Sequence, residues 1–348
     1  MKKTNYTIFL MFILIISILF PVGAGGIKET KEQDDTISLL VYITGVTAGS
    51  PPYESLVEGV NEAAAMYDNV KVKVYEAGFN QATWEEGLTA LVATGEYDVV
   101  IGTNPSLPEI AARVGKKFPH QKFIITDAFL EGNAQIRTYL FNQYEQSLYL
   151  GYLAGLVTTS NMQYANKSLK IGLIAAQEFP LLNKHMIPGF LEGAQMVNKD
   201  IELDFRVVGN WFDANKTAEL TTSMIANGVD VFAAIAGGAS QGLFKVASTE
   251  GAYIVFHNSN EYKAAPGYVI GSGSMEQKKL AIDIVNNVMN GDVEYGKASI
   301  GGLKEGYIGF FFDDPLYTSS LPKDIRDNFK AFMEKLTERE IPYTLPSL

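Results

Sequence analysis

Residues 238–242, with the sequence GASQG, have the pattern of a hydrolase nucleophile, because a serine lies between two glycines where a predicted strand leads into a predicted helix. Activating that serine requires an acid and then a histidine further along the chain. The only histidine after Ser240 is His257, and the only acid between them is Glu250. These two residues belong to the next predicted helix and strand, which leaves no room for the usual supporting sheet. We therefore predict no enzymatic activity, with a serine hydrolase using Ser240 as an alternative. A glycine-rich turn here would instead bring backbone N–H groups near Gly238 close to a ligand.

The histidines and cysteines give no sign of a metal site. His120, His185 and His257 share no ligand spacing with carboxylates. The chain of 348 residues contains no cysteine, which excludes a thiolate nucleophile, a cysteine-based metal site and disulfide bonds. The sequence also lacks a phosphate-binding loop and a dinucleotide-binding fingerprint. It therefore predicts neither a metal ion nor a cofactor.

Polar and aromatic side chains collect where the predicted strands end. Asp127 ends the fourth strand of the first half, and Trp211 follows the second strand of the second half. Small-molecule sites combine apolar ring surfaces with a few polar groups, and an aromatic from each half would stack on a planar heterocycle. The alternative role for the aromatic residues is packing at the hinge. The alternative role for Asp213, which follows Trp211 closely, is to cap the N-terminus of the next helix. The predicted ligand-binding residues are Tyr53, Asn80, Asp127, Trp211, Gly238, Asn258 and Asn260.

Alternating strands and helices position these residues. The predicted strands are residues 37–44, 70–76, 98–102 and 122–127 in the first half and 169–175, 203–208, 231–235 and 253–256 in the second. Helices between successive strands indicate parallel sheets with helical crossovers. Landmarks recur at a nearly constant offset: Glu58 and Glu192 are 134 residues apart, and Gly78 and Gly209 are 131 apart. The pattern predicts two similar Rossmann-like α/β lobes.

Further elements after the second copy indicate that the chain crosses between the lobes more than once. We predict a first lobe of residues 37–160 plus about 259–300, and a second lobe of 161–258 plus about 301–348. Ligands bind beyond the carboxyl ends of the strands in open α/β sheets. Two hinged lobes of this kind would hold a ligand in the cleft between them.

The N-terminal segment has its own character. Residues 1–25 contain two lysines, an apolar run and then small residues, in the order of a secretory signal peptide. An uncleaved membrane anchor is the alternative, because the uncharged stretch 4–26 is long enough to span a bilayer. Residues 26–36 form a predicted linker. A net charge of −11 repels nucleic acid and anionic lipid headgroups, so membrane association is expected only through the N-terminal segment or a membrane partner.

Five segments resemble one known family. They are residues 123–127 (FIITD), 145–155 (EQSLYLGYLAG), 189–194 (GFLEGA), 208–213 (VGNWFD) and 227–231 (NGVDV). The chain resembles the basic membrane protein, or PnrA-like, family of ABC-importer substrate-binding proteins, which have the type I periplasmic-binding fold. The resemblance covers nearly all of residues 37–312. It implies an exported receptor, periplasmic or at the cell surface, that delivers a small molecule to an importer permease. A membrane-anchored ligand sensor of the same fold is the alternative.

The resemblance also implies ligand contacts. Trp211 matches one of two aromatics that sandwich a nucleoside base, and Asp127 matches an aspartate that reads the base. The match to the other aromatic falls on Pro52, one position before Tyr53. Asn258 and Asn260 replace aspartates that usually hold ribose hydroxyls, and Met275 replaces a lysine. Because an amide both donates and accepts while a carboxylate only accepts, the replacements favour riboflavin over a purine nucleoside, which remains the alternative ligand.

Overall fold

The structure, a computed structural model, describes residues 36–347. The predicted signal or anchor, residues 1–25, lies outside the described residues, as does the predicted linker except for Thr36. Within the described part, no helix is both long and apolar enough to cross a membrane.

Strands occur at regular intervals along the described chain. In chain order they are β1 (Ile37–Ile43), β2 (Val70–Glu76), β3 (Val99–Thr103), β4 (Lys122–Thr126), β5 (Ile136–Phe141), β6 (Lys170–Ala175), β7 (Glu202–Val207), β8 (Val229–Ile235), β9 (Tyr253–Phe256), β10 (Val269–Met275), β11 (Ala298–Gly301) and β12 (Ile308–Phe310). Central strands such as β3 are buried along their whole length. Burial on both faces explains their nearly continuous apolar sequence.

Helices connect most of these strands. They are α1 (Pro51–Ala64), α2 (Trp84–Ala93), α3 (Leu107–Lys117), α4 (Gln143–Thr158), α5 (Ile187–Val197), α6 (Ala214–Ala226), α7 (Gln241–Val246), α8 (Gln277–Asn290), α9 (Pro315–Ser320) and α10 (Lys323–Thr337). Asn142 caps α4 by accepting from the Glu145 amide at 3.1 Å. Asp213 caps α6 by accepting from the Lys216 amide at 2.9 Å, which is the alternative role given to it above.

The strands form two six-stranded sheets with equivalent order. The first runs β11-β5-β4-β3-β1-β2 and the second β12-β10-β9-β8-β6-β7. All pairings are parallel except that of β10 with β12. The fold prediction of two similar α/β lobes is confirmed.

The positions at which the chain changes lobe differ from the prediction. β10 pairs with β9 in the second sheet, so the predicted return to the first lobe near residue 259 is wrong for this strand. α4, predicted to belong to the first lobe through residue 160, packs against α5 and the strands of the second sheet. The reason is the close packing of α4 on α5. A Cβ on Gly193 of α5 would lie 1.9 Å from the carbonyl oxygen of Leu148 in α4, so only glycine permits the two helices to approach this closely. The crossings are therefore at β5–α4, β10–α8 and β11–β12.

Candidate functional site

Two adjoining cavities lie where the carboxyl ends of strands from the two sheets meet. Their volumes are about 320 Å³ and 780 Å³. Both are lined by Asp127 after β4, Gln143 at the start of α4 and Asn258 after β9. Because these residues come from both lobes and line both spaces, the cavities form one cleft with two compartments.

Seven of the ten residues that line the smaller compartment have polar side chains. It is lined by Pro51, Pro52, Ser55, Thr103, Asp127, Gln143, Asn258, Ser259, Met275 and Gln277. Two of these residues lie at a lobe crossing, because Met275 ends β10 and Gln277 begins α8. The Gln277 amide nitrogen donates to Thr126 Oγ1 at 2.7 Å, which ties this crossing to the end of β4.

The larger compartment is mainly apolar. Its lining residues are Pro105, Asp127, Ala128, Phe129, Leu140, Gln143, Gln177, Glu178, Phe179, Pro180, Leu181, Met186, Trp211, Ile235 and Asn258. Phe129 belongs to the first lobe, while Phe179 and Trp211 belong to the second. The compartment therefore offers aromatic surfaces from both lobes to a planar ligand.

Asp127 is the most perturbed carboxyl group of the cleft. Its backbone is left-handed, with φ 52°, a conformation that aspartate tolerates better than most side chains. Its carboxylate forms no hydrogen bond with the described residues. Burial raises the pKa of Asp127 to about 7. Such an unpaired acidic group in a cleft is available for a ligand.

Asn258 and its neighbour His257 have different roles. Asn258 lines both compartments with φ 67°, and its side-chain amide has no hydrogen bond to the described residues. His257 is only 2% exposed, and its Nε2 lies 3.0 Å from Ser147 Oγ. Burial lowers the pKa of His257 to about 3, so the ring is neutral at physiological pH.

The serine–histidine pair of the hydrolase alternative is not formed. His257 bonds to Ser147 rather than to Ser240, and the buried Ser240 Oγ has no hydrogen-bond partner among the described residues. Ser240 is 1% exposed and has ordinary helical geometry, unlike a nucleophile that must reach its substrate.

Trp211 is held at the cleft by the glycine-rich turn after β8. Its carbonyl oxygen accepts from the Ala239 amide at 3.0 Å. A Cβ on Gly237, which has φ 54°, would lie 3.3 Å from the Trp211 ring atom Cε3, so the indole rests close to this backbone. The side chain remains 44% exposed and lines the larger compartment.

Four of the seven predicted ligand-binding residues do not line either compartment. The Tyr53 hydroxyl donates to the Thr44 carbonyl oxygen at 3.1 Å, and Pro52 lines the cleft in its place. Asn80 accepts from the Ala82 amide at 3.3 Å. Asn260 donates to Asp314 Oδ2 at 2.8 Å, and a Cβ on Gly238 would lie 3.5 Å from the Trp211 carbonyl oxygen. The structure thus brings together Asp127, Trp211 and Asn258.

Sequence reasoning missed several lining residues. Phe179 and Pro180 follow β6, so the strand-end rule applied to that strand would have identified them. Phe129 follows Asp127 closely and is the first-lobe aromatic of the larger compartment. Gln143 also lies just after a strand, β5, but no strand was predicted from the sequence at residues 136–141.

The comparisons with known proteins agree with this architecture. A family model described as ABC transporter substrate-binding protein PnrA-like matches residues 36–340. The chain belongs to the Bmp family. The predicted resemblance is confirmed, and membership of the Bmp family makes the chain a substrate-binding protein of the ABC-transporter type.

The similarity to known proteins covers between half and nearly all of the chain. It is 25% identical over 338 residues to Basic membrane protein A of Borreliella burgdorferi, covering 95% of this chain and 94% of that one. It is 27% identical over 175 residues to the ABC transporter nucleoside-binding protein BmpA of Lactococcus lactis, covering 50% and 45%. An ABC transporter solute-binding protein from Aeropyrum pernix has a TM-score of 0.70 at 22% identity, covering 90% and 94%. At that identity the structural likeness shows the fold alone.

Proposed function

We propose that the protein captures a nucleoside in the cleft outside the cytoplasmic membrane and delivers it to the permease of an ABC importer. The observation that carries this proposal is that Asp127 of the first lobe and Trp211 of the second line the same cavity. Trp211 offers a face for stacking, and the unpaired Asp127 carboxylate accepts from a ring N–H. The nucleoside-binding relative from Lactococcus lactis supports the choice of ligand.

Riboflavin, favoured from the sequence, has less support. That preference depended on asparagines replacing two ribose-binding aspartates at positions 258 and 260. Only Asn258 lines the cleft, whereas the amide nitrogen of Asn260 bonds to Asp314. One substitution therefore bears directly on the ligand, and an asparagine there can still accept from a ribose hydroxyl.

Lobe closure is the proposed mechanism of capture. The chain passes between the lobes three times, and the first two crossings supply Gln143, Met275 and Gln277 to the smaller compartment. A ligand that contacts both lobes stabilises the closed form by its differential affinity for that form. In this proposal residues 1–25 act as the export signal or as an anchor that keeps the receptor at the membrane.

Ligand binding to the purified protein tests this proposal. Protein stripped of ligand by unfolding and refolding is titrated calorimetrically with inosine, guanosine, adenosine, riboflavin and free ribose. We expect micromolar or tighter binding of at least one nucleoside and none of ribose, because the aromatic walls stack on a planar aromatic ring, which ribose lacks. Binding of riboflavin without binding of any nucleoside would overturn the proposal. Mass spectrometry of any molecule released on unfolding gives an independent identification.

A further inference from the structure

Gln143 is a buried side chain whose amide has no partner. It is 7% exposed, lines both compartments, and its amide forms no hydrogen bond with the described residues. An unpaired amide in a buried position carries a desolvation penalty unless a ligand or water satisfies it. The neighbouring Asn142 and Glu145 are by contrast fully engaged, with each other and with Tyr343.

The side-chain amide of Gln277, which also lines the smaller compartment, already has a hydrogen-bond partner. Gln277 donates to Thr126 Oγ1 at 2.7 Å and so holds the crossing in place. Gln143 has no such bond and begins α4, where the first backbone N–H groups of a helix lack intrahelical acceptors. The free Gln143 amide and the N-terminus of α4 can therefore both donate hydrogen bonds to an acceptor atom of a ligand.

Asp127 lies in the same two compartments and has complementary properties. An ionised carboxylate only accepts hydrogen bonds, whereas a glutamine amide also donates. An ionised carboxylate repels an amide oxygen and attracts an amide NH₂ group, so Asp127 favours the orientation in which the NH₂ group of Gln143 faces the space that both residues line. The pair then presents an acceptor beside a donor.

We propose that Gln143 is a specificity-determining residue that, together with Asp127, reads a ring edge carrying a hydrogen-bond donor next to an acceptor. This inference rests on the proposed function and adds to it the chemical feature of the base that is recognised. In an oxopurine the N1–H would donate to Asp127, and the C6 carbonyl oxygen would accept from Gln143. A purine that lacks both groups leaves the two side chains unsatisfied.

The test compares inosine with purine riboside, which has neither the N1 proton nor the C6 oxygen. Calorimetric titrations are made with the wild-type protein, Gln143→Leu and Gln143→Glu. Removing one partner of a buried hydrogen bond weakens binding by about tenfold or more. We expect Gln143→Leu to weaken inosine binding by about tenfold and to leave purine riboside binding within about twofold. Gln143→Glu keeps the side-chain size but replaces the donor, so it should weaken inosine binding at least as much.

Gln241→Leu is the matched control, because this exposed glutamine lies outside both compartments. It should leave the ratio of the two affinities unchanged, and thermal melting checks that each variant is folded. Equal losses for inosine and purine riboside, or no loss in either Gln143 variant, would refute the role of Gln143 while nucleoside binding stands. Failure of the wild-type protein to bind any nucleoside would instead refute the proposed function, and this inference with it.

Discussion

The ionisation of Asp127 should control ligand affinity near neutral pH. Burial raises the pKa of this carboxyl group to about 7, and no hydrogen bond from the described residues opposes the shift. A ligand N–H needs the ionised form as its acceptor. Protonation before binding therefore reduces the fraction of protein that is competent to bind.

The size of the effect follows from that pKa. With a pKa of about 7, roughly nine-tenths of Asp127 is ionised at pH 8 and roughly one-tenth at pH 6. The apparent dissociation constant scales inversely with the competent fraction. Lowering the pH from 8 to 6 should therefore weaken binding by about tenfold.

Calorimetric titration of inosine at half-unit intervals of pH measures this dependence. His257 contributes nothing in this range, because burial lowers the pKa of its ring to about 3. Glu178, an exposed carboxylate lining the larger compartment, supplies the control: Glu178→Gln should keep the pH dependence. Asp127→Asn should bind more weakly and show a flat profile.

In the unliganded protein, the raised pKa of Asp127 should make the free energy of unfolding change with pH in the opposite direction to the affinity. The native Asp127 retains a proton up to about pH 7, whereas the unfolded side chain releases it near its ordinary pKa of 3.8. The free energy of unfolding should therefore fall as the pH rises between these values, and less so in Asp127→Asn. Affinity for inosine that is constant from pH 6 to pH 8 would show that Asp127 does not accept a proton-bearing group of the ligand.

Two further substitutions test the aromatic wall and the helix packing. Trp211→Ala should weaken nucleoside binding by tenfold or more, since base stacking contributes about 1–3 kcal/mol. The control Phe212→Ala should not weaken binding, because Phe212 is 79% exposed and lies outside the cleft. Equal losses of affinity in calorimetric titrations of the two variants would argue against stacking. Gly193→Ala should lower the free energy of unfolding by at least about 2 kcal/mol in urea titrations, because its Cβ would lie 1.9 Å from the Leu148 carbonyl oxygen. Gly238→Ala, with 3.5 Å to the nearest atom, should change it by under about 1 kcal/mol, and similar losses in both would contradict the packing argument.

The alternation of strands and helices in the sequence was enough to predict the α/β class and the two lobes. Each central strand is buried on both faces, so its apolar run is visible without knowledge of its neighbours. Lobe membership after residue 259 was not visible in this way. β10 joins the second sheet because it pairs with β9, the strand before it in the chain, and the predicted return to the first lobe near residue 259 overlooked this pairing.

The prediction that ligand-binding residues follow the strands placed them at the carboxyl edge of each sheet. It did not show which strand ends lie near the cleft. Asp127 and Asn258 follow inner strands of their sheets, whereas Asn80 and Trp211 follow the outermost strands β2 and β7. Of these last two residues, only Trp211 lines the cleft. Only the tertiary structure decides which strand ends face the opposite lobe. The burial of Gln143 without a partner likewise arises where α4 begins at a lobe crossing. Residue types and periodicity in the sequence therefore determined the fold and the kinds of groups available, while packing between the lobes decided which of them meet.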